Sequence, residues 1–123
     1  MGIWYIIILF LLFVYFSTRY AWWKRAVDYR YPRILMYHMI REAIPGKKFN
    51  SLRVSPEAFE VQIKYLYDKG WKSYTMSEAM AQKNSLPIKS VVITFDDGYR
   101  DNLTNALPIL KKYGFKATIY LVN

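Results

Sequence analysis

Residues 3–16 read IWYIIILFLLFVYF, fourteen positions with no polar group beyond the hydroxyls of Tyr5 and Tyr15. A helix of this composition has no wet face, so the fold must bury it on every side or place it in lipid. Fourteen residues rise about 21 Å, short of a hydrocarbon core of about 30 Å. Extending the helix from Gly2 to Trp23 gives about 33 Å, with Arg19 snorkelling and Tyr20, Trp22 and Trp23 at headgroup level. Three readings compete: an uncleaved anchor, a cleavable signal peptide and a buried core helix. A signal peptide calls for Lys or Arg ahead of the apolar run and small residues at the cleavage point, whereas the chain starts MG and continues FSTRYAWW. A core helix is rarely so aromatic. Residues 1–23 are therefore expected to be a transmembrane anchor.

The anchor leaves about a hundred residues for one folded domain. Charge is distributed unevenly over them. Between Arg19 and Arg53 stand nine basic and two acidic residues, which account for +7 of the net +9. Such a block suits phosphate, but it starts where the apolar run ends, so an anionic membrane surface is favoured as counterpart over nucleic acid. Ordinary solvation of these charges stays open as an alternative. Residues 24–33 read as a juxtamembrane linker. The absence of cysteine excludes disulfides and thiolate metal sites and leaves the compartment open.

From residue 34 onward, strand and helix signals alternate. ILMY (34–37) is a short buried-strand pattern with His38 at its C-terminal end, and residues 41–53 read as an irregular loop around Pro45, Gly46 and Asn50. VSPEAFEVQIKYLYDKG predicts a helix with Ser55 as N-cap, Pro56 at its first position and Gly70 as its stop. Phe59, Ile63, Leu66 and Tyr67 form its apolar stripe, and Phe59, Tyr65, Tyr67, Trp71, Tyr113 and Phe115 are assigned mostly to the core. WKSYT (71–75) predicts a strand, and MSEAMAQKN (76–84) a helix capped by Ser77. VVITF (91–95) is a strand, and a helix from Asp101 to Tyr113, broken or recapped by Asn105 near Pro108, precedes a last strand at 115–122. The order implies an α/β fold with parallel strands joined by helical crossovers. An apolar strand at the very end suggests that partner elements lie beyond residue 123.

The chemistry concentrates in SVVITFDDGYR, residues 90–100. In parallel α/β folds ligands meet the C-terminal ends of strands, where Asp96 and Asp97 follow VVITF and His38 follows ILMY. Adjacent side chains leave a strand in different directions, so the two carboxylates suit different tasks. A divalent metal bound by one would leave the other free as a base toward water. His38 is a candidate general acid. Tyr99, Thr94 and Arg100 are candidates for substrate positioning. The plainer alternatives are a turn followed by a helix start for DDG, and a packed core residue for the lone histidine.

VVITFDDGY, followed by ALPILKKYGFKATIYLV, resembles the first catalytic motif and succeeding elements of the polysaccharide deacetylases, carbohydrate esterase family 4 with its NodB-homology domain; the likeness runs over residues 34–123. The resemblance implies part of a deformed (β/α) barrel. It also implies hydrolysis of N-acetyl, sometimes O-acetyl, groups on an acetylated polysaccharide with a divalent metal, usually zinc. By position Asp96 would be the general base and Asp97 a metal ligand. LMYH is similar to the start of a circularly permuted subset, including deacetylases of poly-N-acetylglucosamine, in which an N-terminal histidine is the catalytic acid; here that is His38. The family's metal site also takes two histidines from a second motif, and this chain has one histidine in all. The 123 residues are thus expected to be the inactive N-terminal portion of a longer enzyme. The alternative is a non-catalytic, membrane-anchored glycan-binding or accessory protein. Basic residues after the span favour a cytoplasmic domain, while the resemblance places the domain outside the membrane; long exported domains cross largely regardless of charge, which favours the second.

Overall fold

The computed structural model describes residues 2–122, so Met1 and Asn123 of the expected anchor and domain lie outside the described residues. The apolar run is helical from Gly2 to Tyr20 (α1). Its side chains are exposed almost throughout, and it is long and apolar enough to cross a membrane, a property that anchors and signal sequences share. Nineteen residues rise about 28 Å. The helix stops three residues before Trp23 because Ala21 adopts a left-handed conformation (φ 45°). The Trp22 indole then folds back, donating to Ser17 Oγ at 3.2 Å and packing edge-on against Phe13.

The remaining elements follow the expected alternation. Strands Arg33–Tyr37 (β1), Lys72–Tyr74 (β4), Ser90–Asp96 (β5) and Thr118–Tyr120 (β6) form one parallel sheet. β5 is its centre: β1 lies along one edge, while β4 pairs with its first half and β6 with its second half on the other. Within the described residues this sheet is open, and the strands do not close into a barrel. Two further strands, Met39–Ile40 (β2) and Arg53–Val54 (β3), pair in parallel as a separate small sheet. Two-residue strands carry no periodicity, which is why residues 41–53 read as loop throughout.

Side chains alternate across a strand, and the two faces of the main sheet differ sharply. Leu35 and Tyr37 of β1 and Ile93 and Phe95 of β5 point toward helices Pro56–Asp68 (α2) and Leu107–Tyr113 (α4). There Phe59, Ile63 and Leu66 complete the core, and Phe59 meets Tyr37 and Phe95 at ring-centroid distances of 5.0 and 5.9 Å. On the opposite face Ile34 and Met36 are about 60 % exposed. Helix α2 has the predicted cap, Ser55 Oγ accepting from Ala58 N at 3.1 Å. Tyr65 and Tyr67, however, point outward, and Tyr67 lies against Tyr113 instead of joining the buried stripe.

Two caps differ from expectation. Helix Met76–Ala81 (α3) is capped by Thr75, two residues before Ser77, because Thr75 and Glu78 form a reciprocal capping box. Asn105 caps nothing. The segment Asn102–Ala106 is a π-helical turn running directly into α4, with Leu107 N donating to Asn102 O. Pro108 explains the wider turn: it has no N–H and its ring would collide with the carbonyl of Thr104 in a regular helix, which one extra residue per turn relieves.

Candidate active site

β5 is buried along almost its whole length and surfaces at Asp96. The sheet register pairs Tyr37 with Phe95, so the residue after each, His38 and Asp96, emerges at the same end of neighbouring strands. His38 Nε2 stands 4.0 Å from Asp96 Oδ2, both side chains being partly buried. That is ion-pair range for a charged imidazole but too long for a hydrogen bond. The groups therefore flank a common point, each retaining capacity toward a third molecule.

After Asp96 the chain turns through two left-handed residues, Asp97 (φ 71°) and Gly98 (φ 67°). For residues with a side chain this region costs about 1–2 kcal/mol, somewhat less for Asp, whose carboxylate bonds locally. At Gly98 the left-handed backbone is the constraint, since an added Cβ would meet only the terminal methyl of the exposed Leu121 side chain, which can move aside. The turn carries the exposed Asp97 carboxylate to the rim of a cleft of about 430 Å³ that Asp96 and Thr94 also line, together with Met36, Met76 and Tyr120. This cleft occupies the sheet face that the helices leave bare. Placement of a strained, non-glycine residue beside a partly buried carboxylate points to use of that carboxylate, because a turn alone is easier to make with Gly or Asn.

The structure brings Asp96, Asp97 and His38 to one end of the sheet, with Asp96 shared between the cleft and the imidazole. Tyr99 is placed differently: it does not line the cleft, and the Arg41 guanidinium lies over its ring at 5.9 Å. Several participants escaped the sequence reading. Asp101, 5 % exposed, accepts from Ile40 N at 3.0 Å and from Arg41 Nε. Asn102, 4 % exposed, places its side-chain amide 2.9 Å from the His38 carbonyl oxygen and 3.1 Å from Asp101 Oδ1, both acceptors, so the amide nitrogen is assigned to that side. Asn105 Nδ2 donates to Ile40 O at 2.7 Å. In sequence RDN resembles any helix start, and no spacing rule separates it from one.

The donor set falls short of a zinc site. Catalytic zinc takes three protein ligands and keeps a fourth position open. Among the described residues no group of three His, Cys, Asp or Glu side chains converges on a point that would hold a metal. Asp97 is a single free carboxylate, and the only imidazole faces Asp96. The described residues by themselves do not fit zinc.

Known proteins share this arrangement of sequence and fold. A model of the polysaccharide deacetylase family matches residues 83–123. A Bacillus subtilis (strain 168) protein assigned to the polysaccharide deacetylases, YxkH, is 45 % identical over 105 residues, which cover 83 % of this chain and 35 % of that protein. The poly-beta-1,6-N-acetyl-D-glucosamine N-deacetylase of Staphylococcus aureus (strain MSSA476) is 35 % identical over 100 residues, covering 72 % of this chain and 34 % of that one. The chain thus spans about a third of the length of the curated relatives it matches. Among solved structures, the Streptococcus pyogenes deacetylase PplD, in complex with acetate, superposes with a TM-score of 0.65 at 33 % identity, over 80 % of this chain and 44 % of that one. Sequence and fold together group this chain with the polysaccharide deacetylases.

Proposed function

We propose that this chain forms part of a hydrolase that removes N-acetyl groups from a cell-surface or extracellular polysaccharide of the amino-sugar type. The observation that carries the reading is the Asp96–His38 pair: two groups able to move protons, 4.0 Å apart, at adjacent strand ends beside an open cleft. Asp96 takes the proton from the attacking water as its oxygen bonds to the acetyl carbon. His38 delivers a proton to the departing nitrogen as the C–N bond breaks, so acetate and a free amine leave. The 4.0 Å separation supports this division of roles, since acid and base must both lie within reach of one reacting centre. A divalent metal, zinc if the family resemblance holds, belongs to the same proposal: Asp97 is the donor this segment offers, and further donors have to come from outside it.

The relatives support the substrate class, one of them being by name a deacetylase of poly-N-acetylglucosamine. α1 and the basic block after it support attachment to a membrane; the polymer that the relatives act on, rather than the charge after the span, supports a domain on the outer side. The strained Asp97 turn argues against a purely accessory glycan-binding role, which has no need of it.

The test is acetate release by the intact gene product from poly-β-1,6-N-acetylglucosamine. Asp96→Asn should lower kcat/KM by about 10²–10⁴-fold while the melting temperature holds. Full activity in that variant would overturn the reading.

A further inference from the structure

His38 falls in the gap between β1 and β2, where the chain leaves the main sheet for the small one, and belongs to neither strand. Something else must hold it opposite Asp96. Side chains from the residues just after the DDG turn do so: Asp101 accepts from Ile40 N and Asn105 donates to the Ile40 carbonyl oxygen, and the Asn102 amide lies 2.9 Å from the His38 carbonyl oxygen, a hydrogen bond with the amide nitrogen assigned to that side. Asp101 and Asn102 are almost wholly buried, and a carboxylate is rarely buried without such partners. Arg41 supplies the countercharge to Asp101 from the same segment, with Tyr99 beneath its guanidinium.

We infer that Asp101, Asn102 and Asn105 are positioning residues that clamp the His38–Ile40 backbone and so fix the imidazole opposite Asp96. The inference rests on the catalytic reading of His38 given above. Its logic is geometric. Asp96 lies five residues before Asp101, across the tight Asp97–Gly98 turn, so the clamp ties the end of β1 to the same short stretch of chain that ends β5. The π-helical turn contributes to this, because Asn102 and Asn105 both lie on it, and wide turns of this kind recur at functional sites. A need for stability alone would be met by ordinary backbone pairing of β2; the clamp instead grips residues 38 and 40 from one helical turn.

The imidazole of His38 is the only one in the 123-residue chain, so its ring signals are unambiguous in the full chain held in detergent micelles. In Asn105→Ala and Asp101→Asn, ¹³C relaxation should show the ring order parameter falling from the rigid range, about 0.85, toward the flexible range below about 0.6. Thr104→Ala, an exposed neighbour whose hydroxyl donates only to the Arg100 carbonyl oxygen, should leave it unchanged. In the intact gene product the two clamp variants should lose about tenfold to a hundredfold in kcat, with KM preserved. A ring as ordered in Asn105→Ala as in the parent overturns the clamp, and this variant decides alone if Asp101→Asn does not fold. A ring that loosens while kcat is untouched supports the clamp and overturns the catalytic assignment of His38.

Discussion

The two faces of the main sheet are built from the same strands, yet they do different work. Toward α2 and α4 every second residue of β1 and β5 is apolar and enclosed: Leu35, Tyr37, Ile93 and Phe95 against Phe59, Ile63 and Leu110. On the other face the alternate residues are mixed, Met36 exposed, Thr94 buried, Asp96 partly so, and they line a cleft together with Asp97 and Tyr120. One face supplies folding free energy, and the other carries the groups to which the proposed chemistry is assigned. The strand period of two residues is what allows a single segment to do both.

That division is open to attack by paired substitutions. Phe59→Ala removes a ring with no solvent exposure that touches both Tyr37 and Phe95, and should cost about 3–5 kcal/mol. Met36→Ala on the bare face, about 60 % exposed, should cost well under about 1 kcal/mol, as surface changes do. Denaturant titration of the full chain in micelles measures both, and equal losses would erase the distinction between the faces. Next in size is Asp97→Gly. Relieving the left-handed conformation (φ 71°) should leave stability unchanged or raised by up to about 1 kcal/mol, while acetate release by the intact gene product disappears. A stabilised variant that keeps its activity would make the strain at Asp97 a property of the turn alone.

A related test concerns the metal. If donors beyond Asp97 lie outside this chain, zinc at micromolar concentration should not shift the melting temperature of the 123 residues, because a ligand that binds only the native state always raises it. Chelation should nevertheless silence the intact gene product. A zinc-dependent rise in the isolated chain would reveal a donor set that the described residues do not bring together.

How much of this was legible in the sequence follows from the range over which each feature is determined. α2 was readable because Ser55, Pro56 and the stripe of Phe59, Ile63 and Leu66 are local signals, and β5 because VVITF is a run of β-branched and aromatic residues, apolar except for Thr94. The convergence of His38 and Asp96 was readable because parallel strands present their C-terminal ends together. Tyr65 and Tyr67 misled because aromatic rings at helical spacing also serve to cover an outer face, as Tyr67 does with Tyr113. The clamp was invisible for a different reason. Asp101 and Ile40 are 61 residues apart, and nothing local distinguishes a buried aspartate from one that opens a helix. The π-helical turn combines both kinds of cause, with Pro108 its local half and the Asn105 bond to Ile40 its distant half.

The smallest expected effect concerns the rim of the bare face, which is tied by polar contacts where the other face uses apolar ones. α3 is held there by Met76 N donating to Thr118 Oγ1 at 2.9 Å and by Lys116 Nζ on Glu78 Oε1 at 2.6 Å. Lys116, with the Thr75 backbone N–H second, holds the Glu78 carboxyl down to about 2 from an ordinary 4.5. A carboxyl depressed in the folded state stabilises fully above its unfolded value and loses that contribution as pH falls toward its folded value. Glu78→Gln keeps the length needed for the capping box but not the charge. Its melting temperature should sit slightly below that of the parent at pH 6, and the gap should close between pH 4.5 and about 2. Added salt should narrow the gap as well, since the pair is exposed. A gap that is constant across that interval, or indifferent to salt, would mean that α3 is held by the same apolar packing as the covered face, and the contrast between the two faces would stop at the sheet itself.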